Sequence, residues 1–208
     1  MNPGRFITLE GGEGVGKSTQ LRALADALVS RDLEIVVTRE PGGSDGAEAI
    51  RGLLLEGEPG RWGPRAEALL FAAARADHLE RIILPALEAG KWVLCDRFLD
   101  SSRAYQSASG LDDADIMALH RVGSAGRLPD RTLLLTLPEA EAAARAAARD
   151  RGGADRIGAR DPDYHARVAA GFLRFAAAEP DRFRVIDASG AASAVTARLV
   201  EALADMLP

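Results

Sequence analysis

The sequence predicts an α/β fold: a parallel five-stranded sheet flanked by helices. Three observations predict it. Short apolar runs alternate with helical periodicity along the 208 residues, the pattern of a sheet with helices on both sides. The apolar runs are nearly continuous, as in strands covered on both faces. The first run leads into Gly11-Gly12-Glu13-Gly14-Val15-Gly16-Lys17-Ser18, which fits GxxxxGK[ST], and a helical pattern follows at once. Strand, glycine loop and helix are the setting in which that motif cradles phosphate.

Taken in order, the expected strands are 6–9, 34–38, 92–95, 132–136 and 183–186. The expected helices are 18–31, 46–56, 65–89, 112–122, 138–149, 162–179 and 191–206. Glu58-Pro59-Gly60 and Gly63-Pro64 punctuate the loop before the long third helix. The alanine-rich stretch 139–149 reads as a plain helix, since alanine is the best helix former. A chain of this length predicts one domain, 1–208, with a small mobile lid at about 149–161. That lid stretch breaks the alternation with four arginines, three aspartates and three glycines.

Hydrophobic residues make up 47% of the chain, enough for a sizeable core. A net charge of −5 speaks against general nucleic-acid or anionic-membrane binding. Cys95 is the sole cysteine, which excludes a disulfide framework and a CxxC metal pair. Its apolar neighbours make it a core residue rather than a nucleophile. No stretch is long and apolar enough for a membrane span, and strand 1 begins too early to leave room for a signal peptide. A cytoplasmic protein is the expectation.

The chemistry begins at the glycine loop. Its backbone N–H groups and the following helix N-terminus suit phosphate. Lys17 can reach β- and γ-phosphates, and the Ser18 hydroxyl can ligate Mg²⁺. Lys17 and Lys91 are the only lysines, against abundant arginine. Asp96-Arg97-Phe98 follows the third strand, and ligands bind outside the carboxyl ends of strands in such sheets. Asp96 is placed for a metal and Arg97 for a phosphate; a strand-end ion pair is the plainer alternative. Ser101, Ser102, Tyr105 and Gln106 offer donors and acceptors for a base edge or sugar. Thr38-Arg39-Glu40-Pro41-Gly42-Gly43 ends another strand, where a plain turn is also expected. Phe71 and Arg75 share a helix face, and spacing alone reads them as a core phenylalanine with a surface arginine.

These motifs stand in one order: FxxLEGGEGxGKST at 6–19, TREPGG at 38–43, Phe71 with Arg75, DRFLDSSRAYQ at 96–106, then Asp155-Arg156. Over nearly the whole chain they resemble the thymidylate kinase family. The resemblance implies a sheet of the P-loop nucleoside monophosphate kinase type. It implies transfer of the ATP γ-phosphate to dTMP, giving dTDP and ADP, with Mg²⁺ required, and a homodimer.

By matched position, the resemblance gives ATP binding to Gly11, Gly12, Glu13, Gly14, Val15, Gly16, Lys17, Ser18 and Thr19. It gives the metal to Ser18 and Asp96. Arg97 would hold the dTMP phosphate, Phe71 stack on thymine and Arg75 donate to its exocyclic oxygen. Ser102 and Gln106 would read the remaining edge, with Ser101 beside them and Tyr105 against the deoxyribose. Glu13, Glu40, Pro41 and Arg51 would line the acceptor pocket, Pro41 after a cis peptide. Catalysis would fall to Lys17, Arg97 and the lid residues Arg149 and Arg151. With Glu13 in the loop and arginines in the lid, the chain resembles the bacterial style of the family. Two departures stand out. The segment 107–112 is shorter than usual and lacks an arginine. Gly158 replaces the lid acid, leaving that role lost or taken by Asp161. The alternatives are a kinase for another monophosphate or a deoxynucleoside, and a P-loop ATPase or switch. A guanine switch would need NKxD, and Asn2 is the only asparagine.

Overall fold

The computed structural model describes residues 4–58, 60–149 and 155–208, with the backbone alone for Arg149. Arg151, the Arg149 side chain and lid residues 150–154 lie outside the described residues. The sheet contains β1 (Phe6–Glu10), β2 (Ile35–Arg39), β3 (Trp92–Asp96), β4 (Arg131–Thr136) and β5 (Phe183–Asp187). Their order is β2-β3-β1-β4-β5, and all neighbours are parallel. The expected sheet is the observed one.

Side chains alternate across the sheet, and both faces are covered. Ile7, Leu9, Trp92, Leu94, Leu133 and Leu135 pack on one side, against α1 (Lys17–Val29) and α9 (Ala192–Glu201) through Leu24, Leu28, Val195 and Leu199. On the other side Phe6, Val93 and Cys95 meet Phe98, Leu99 and Ile116. Farther along that side Leu134 and Phe183 meet Tyr105, Tyr164, Phe172 and Phe175. This face is built by α3 (Pro64–His78), α5 (Leu99–Ala108), α6 (Asp113–Ser124) and α8 (Pro162–Ala178). Cys95 is fully buried, and burial holds its thiol well above the ordinary value.

The remaining helices are α2 (Asp45–Leu55), α4 (Leu84–Glu88) and α7 (Glu139–Arg149). Local signals explain several ends. Pro64 opens α3 and Pro162 opens α8, where a missing N–H costs nothing. Asp161 caps α8 by accepting the Tyr164 N–H at 2.8 Å. Asp161 thus serves as the cap of α8.

Two expectations about helices need correction. The stretch 65–89 is not one α-helix: a π-helical turn, Leu79–Ile83, separates α3 from α4. Pro85 explains the break, because it has no N–H and its ring crowds the carbonyl four residues back. The segment 99–108 is a full helix, α5, although its serines and charges hid the helical period. Eight of its ten residues, Leu99 to Gln106, are buried, so it has no polar face for a pattern to show.

Register puts the functional segments together. Leu9 and Arg39 both pair with Asp96. The Arg97 N–H bonds Leu9 O at 3.0 Å, and the Glu40 N–H bonds Asp96 O at 2.9 Å. The glycine loop, Glu40-Pro41 and Asp96-Arg97 thus leave the sheet at one edge.

Candidate active site

The glycine loop curls through left-handed backbone at Gly11, Gly14 and Gly16, with φ of 137°, 76° and 93°. At Gly14 a Cβ would also lie 2.0 Å from Ala142 O, so α7 sits directly on the loop. Lys17 donates to the carbonyls of Gly11 at 3.0 Å and Gly12 at 2.7 Å. Burial, together with the nearby Arg97 charge, lowers the Lys17 amine to about 8. Phosphate oxygens would reverse that push, which suits a site waiting for an anion. Ser18 Oγ donates to Asp96 Oδ2 at 2.7 Å. The pair brings two hard oxygens to the mouth of the loop.

Arg97 is the hub of the middle of the site. Its backbone takes φ 69°, rare for a side-chain-bearing residue. Nη1 donates to Gly11 O and Ser101 Oγ, each at 3.0 Å, and Nη2 to Glu13 Oε1. Tyr105 donates to the same Glu13 oxygen at 2.9 Å, and Arg97 lies over its ring. Burial works against the Arg97 charge, but Tyr105, Glu13, Asp96 and Glu10 outweigh it and raise its pKa. Beneath lies Glu10, fully buried, accepting the Phe98 N–H at 2.8 Å and the Ser101 hydroxyl at 2.5 Å. Burial, with the Asp100 charge, pushes the Glu10 carboxyl up to about 8.

The far end of the site is made by α3 and α5. Arg75 is 3% exposed, so the surface-arginine reading is wrong. Its Nε donates to Glu40 Oε2 at 2.8 Å, and its Nη2 to Ser102 Oγ at 2.7 Å and Phe98 O at 3.3 Å. Spacing could not reveal this, because the pull on Arg75 comes from a carboxylate 35 residues away. Nη1 has no partner among the described residues. Phe71, one turn earlier, is only half-buried and keeps a face to the cavity. Gln106 is buried, yet neither its oxygen nor its nitrogen has a partner. Arg51 Nη1 donates to Pro41 O at 2.6 Å, and the Glu40–Pro41 peptide is cis. Burial lowers the Arg51 guanidinium.

A single cavity of about 900 Å³ joins both ends. Glu13 to Thr19, Asp96 and Arg97 line one part; Glu40, Pro41, Arg51, Phe71, Arg75, Ser101, Ser102, Tyr105 and Gln106 line the other. Gly11 and Gly12 are not on its wall and serve instead through the carbonyls that hold Lys17. Arg145 of α7, not singled out in the sequence, does reach the wall.

The described residues of the expected lid, 155–161, are anchored away from the phosphate end. Glu67, 1% exposed, takes Arg156 Nη2 at 2.7 Å and Arg160 Nη2 at 2.8 Å. Arg156 also donates to Leu54 O at 2.9 Å. Arg156 is thus a buried tie, whereas Asp155, Ile157 and Gly158 line the cavity. Sequence reasoning missed Glu10, Glu67 and His78. For two of them a signal existed: Glu67, Phe71, Arg75 and His78 recur at helical spacing along one face of α3. Glu10 gave none beyond an acid ending an apolar strand.

A family model described as Thymidylate kinase matches residues 9–199. A thymidylate kinase of Rhizorhabdus wittichii is 66% identical over 207 residues, covering 99% of this chain and 100% of that one. One from Caulobacter vibrioides is 50% identical, covering 100% and 99%. A crystal structure of thymidylate kinase from Ehrlichia chaffeensis superposes with TM-score 0.77 at 32% identity, covering 97% of this chain and 99% of that one. The sheet is that of the P-loop nucleoside monophosphate kinases. With a phosphate loop at one end of its cavity, a guanidinium and an amide waiting at the other, and a match running almost end to end, the chain belongs to the thymidylate kinase family.

Proposed function

We infer that the protein transfers the γ-phosphoryl group of ATP to dTMP, giving dTDP and ADP. One observation carries the assignment of the acceptor end: the buried Gln106 amide is left without partners on the wall where Phe71 presents its ring, and Arg75 points Nη1, which makes no hydrogen bond among the described residues, to the same site. Buried polar groups without partners are rare and costly. A planar base with exocyclic oxygens would satisfy them and stack on Phe71.

The roles follow from that reading. The loop amides and Lys17 hold ATP phosphates. Arg97, fixed by Glu13 and Ser101, holds the acceptor phosphate in line with the loop, and holding two reactants in register lowers the barrier by itself. Ser102, bonded to Arg75, and Gln106 complete the base contacts. Tyr105 stands against the sugar, where a ribose 2′-hydroxyl would crowd its ring. Ser18 and Asp96 suit Mg²⁺, which takes few protein oxygens and the rest from phosphates and water. When bound, Mg²⁺ would neutralise phosphate charge. Arg151 and Arg149 are the proposed cations for the transferring group, since Glu13 of the loop is acidic.

A homodimer and a cytoplasmic setting belong to the same proposal. Leu69 on α3 and Val122 on α6 are 56% and 89% exposed, apolar points that a second copy would cover. No described helix is long and apolar enough to cross a membrane. The net charge of −5 argues against general nucleic-acid binding.

The test is product analysis with ATP, Mg²⁺ and a panel of nucleoside monophosphates. dTDP formed in preference to all other diphosphates is the expected result. ATP loss without dTDP would replace the kinase by an ATPase, and a different preferred acceptor would overturn the assignment of the base.

A further inference from the structure

His78 ends α3 on the face that carries Phe71 and Arg75, and it is fully buried. Its two ring nitrogens meet two different segments. Nε2 lies 2.7 Å from Thr38 Oγ1, in β2. Nδ1 lies 3.1 Å from Glu40 Oε1. The other Glu40 oxygen takes Arg75 Nε at 2.8 Å, and Arg75 passes the chain to Ser102 at 2.7 Å. One run of hydrogen bonds therefore leads from the sheet to the cavity wall: Thr38, His78, Glu40, Arg75, Ser102. A carboxylate oxygen accepts, so Nδ1–H donates to Glu40, and Nε2 pairs with the Thr38 hydroxyl.

The surrounding backbone holds the ring in place. Gly43 has φ 90°, and a Cβ there would lie 2.5 Å from both His78 Nε2 and Thr38 Oγ1. The 38–43 turn thus closes onto the imidazole, leaving no room for a side chain.

We propose that His78 is a positioning residue for acceptor recognition, acting through Glu40 on Arg75. The proposal rests on the reading of the cavity's far end as the dTMP site. Glu40 has two oxygens and Arg75 a forked set of donors. With His78 holding one oxygen, Glu40 can give Arg75 only the other, and Nη2 stays with Ser102. Without His78, the released oxygen is free to fork onto the guanidinium, compete with Ser102 and turn Nη1 away from the base.

The experiment is steady-state kinetics with dTMP and ATP varied separately, for His78→Leu, His78→Asn, Thr38→Val and Arg75→Ala. Asparagine keeps a donor near the Nδ1 position; leucine keeps none. His78→Leu should raise the dTMP KM about tenfold or more, the scale expected when a contact group is displaced by a fraction of an ångström. The ATP KM should stay within about twofold, since its site shares no link of the chain. His78→Asn should recover most of the loss, and Thr38→Val should show a smaller rise of the same kind. A dTMP KM within about twofold of wild type for His78→Leu overturns the proposal, as does an asparagine variant no better than leucine. Where the leucine variant fails to fold, His78→Asn and Thr38→Val decide. Relative to wild type, a dTMP-specific rise in Thr38→Val larger than that in His78→Asn supports the proposal, and no rise in Thr38→Val overturns it. Arg75→Ala separates the two levels. If it leaves the dTMP KM unchanged, the acceptor-site reading itself fails. If it raises that KM while the His78 and Thr38 variants do not, only the positioning role fails.

Discussion

At Phe71, burial and function leave different signatures. The ring packs beside the Tyr105 cluster yet keeps a face on the cavity. A fully buried phenylalanine would cost about 3–5 kcal/mol on truncation, and half-burial makes the stability loss smaller. Stacking on a base is worth about 1–3 kcal/mol. Phe71→Ala should therefore raise the dTMP KM by that amount while lowering the melting temperature only modestly. Acceptor saturation curves and thermal unfolding on one preparation check it; a large drop in melting temperature with an unchanged KM would make Phe71 a core residue only. Tyr105 is bound from both sides, by its hydroxyl to Glu13 and by its ring to Arg97. Tyr105→Phe keeps the ring proposed to crowd a 2′-hydroxyl but removes one of the bonds orienting Glu13. Preference for dUMP over UMP should survive, while turnover falls through the loosened Glu13–Arg97 pair. Acceptor competition assays decide; loss of the preference in the phenylalanine variant would transfer sugar discrimination from ring bulk to the hydroxyl.

Among the elements, α3 organises the site more than any other. One face carries Glu67, Phe71, Arg75 and His78, and so meets the lid, the cavity and the 38–43 turn in succession. Glu67 is the anchor of the described lid segment, with two guanidiniums on one buried carboxylate. Breaking a buried ion pair from one side leaves charge without compensation, a loss of about 3–5 kcal/mol. Glu67→Ala should therefore destabilise the fold by that order and speed amide exchange at Ile157 and Arg160 most. Denaturant unfolding with hydrogen exchange measures both, and uniform acceleration across the molecule would argue against a local anchor. The proposed lid arginines lie at the end of α7 and just after it in the chain, and Ala142 of α7 sits against Gly14 of the phosphate loop. Arg151→Ala should lower turnover by about 10³-fold, the low end for a charge-stabilising arginine in phosphoryl transfer. The dTMP KM should change little. Near-normal turnover in both Arg151→Ala and Arg149→Ala would remove the lid as the source of that cation.

At the scale of the whole molecule, His120 contributes one component of the dependence of stability on pH. This residue of α6 is 1% exposed and packs edge-on against Phe98 at 6.0 Å. Neither ring nitrogen has a well-formed hydrogen bond. Burial lowers its pKa from 6.5 to about 4, reinforced by the Arg75 charge; the Arg127 backbone and the Glu40 and Asp100 carboxylates offset part of this. The unfolded chain thus binds a proton that the folded one refuses. Above pH 6.5 this contributes nothing against folding, and stability is lost as pH falls from about 6.5 towards 4. His120→Phe should remove that component, so urea unfolding should show the variant gaining on wild type between about pH 7.5 and about pH 5.5 (roughly one unit either side of the histidine value). Identical slopes for the two proteins would exclude His120 as the source.

The sequence by itself determined the five strands, the glycine loop, and the segments that end at one sheet edge, because these depend on local period, turn chemistry and chain order. Most cavity-lining residues were legible for the same reason: they sit in short motifs directly after strands. Helix α5 was not, since a helix buried all round shows no amphipathic face. The fate of individual charges was not legible either. Arg75 and Arg156, which spacing cannot tell from surface arginines, are buried because Glu40 and Glu67 meet them from distant segments. Glu10 and His78 do their work beneath the cavity wall, where partners are chosen by packing. Tertiary structure decided these points because a buried charge or ring is held by whatever the fold brings to it, and only the assembled sheet and helices set those distances.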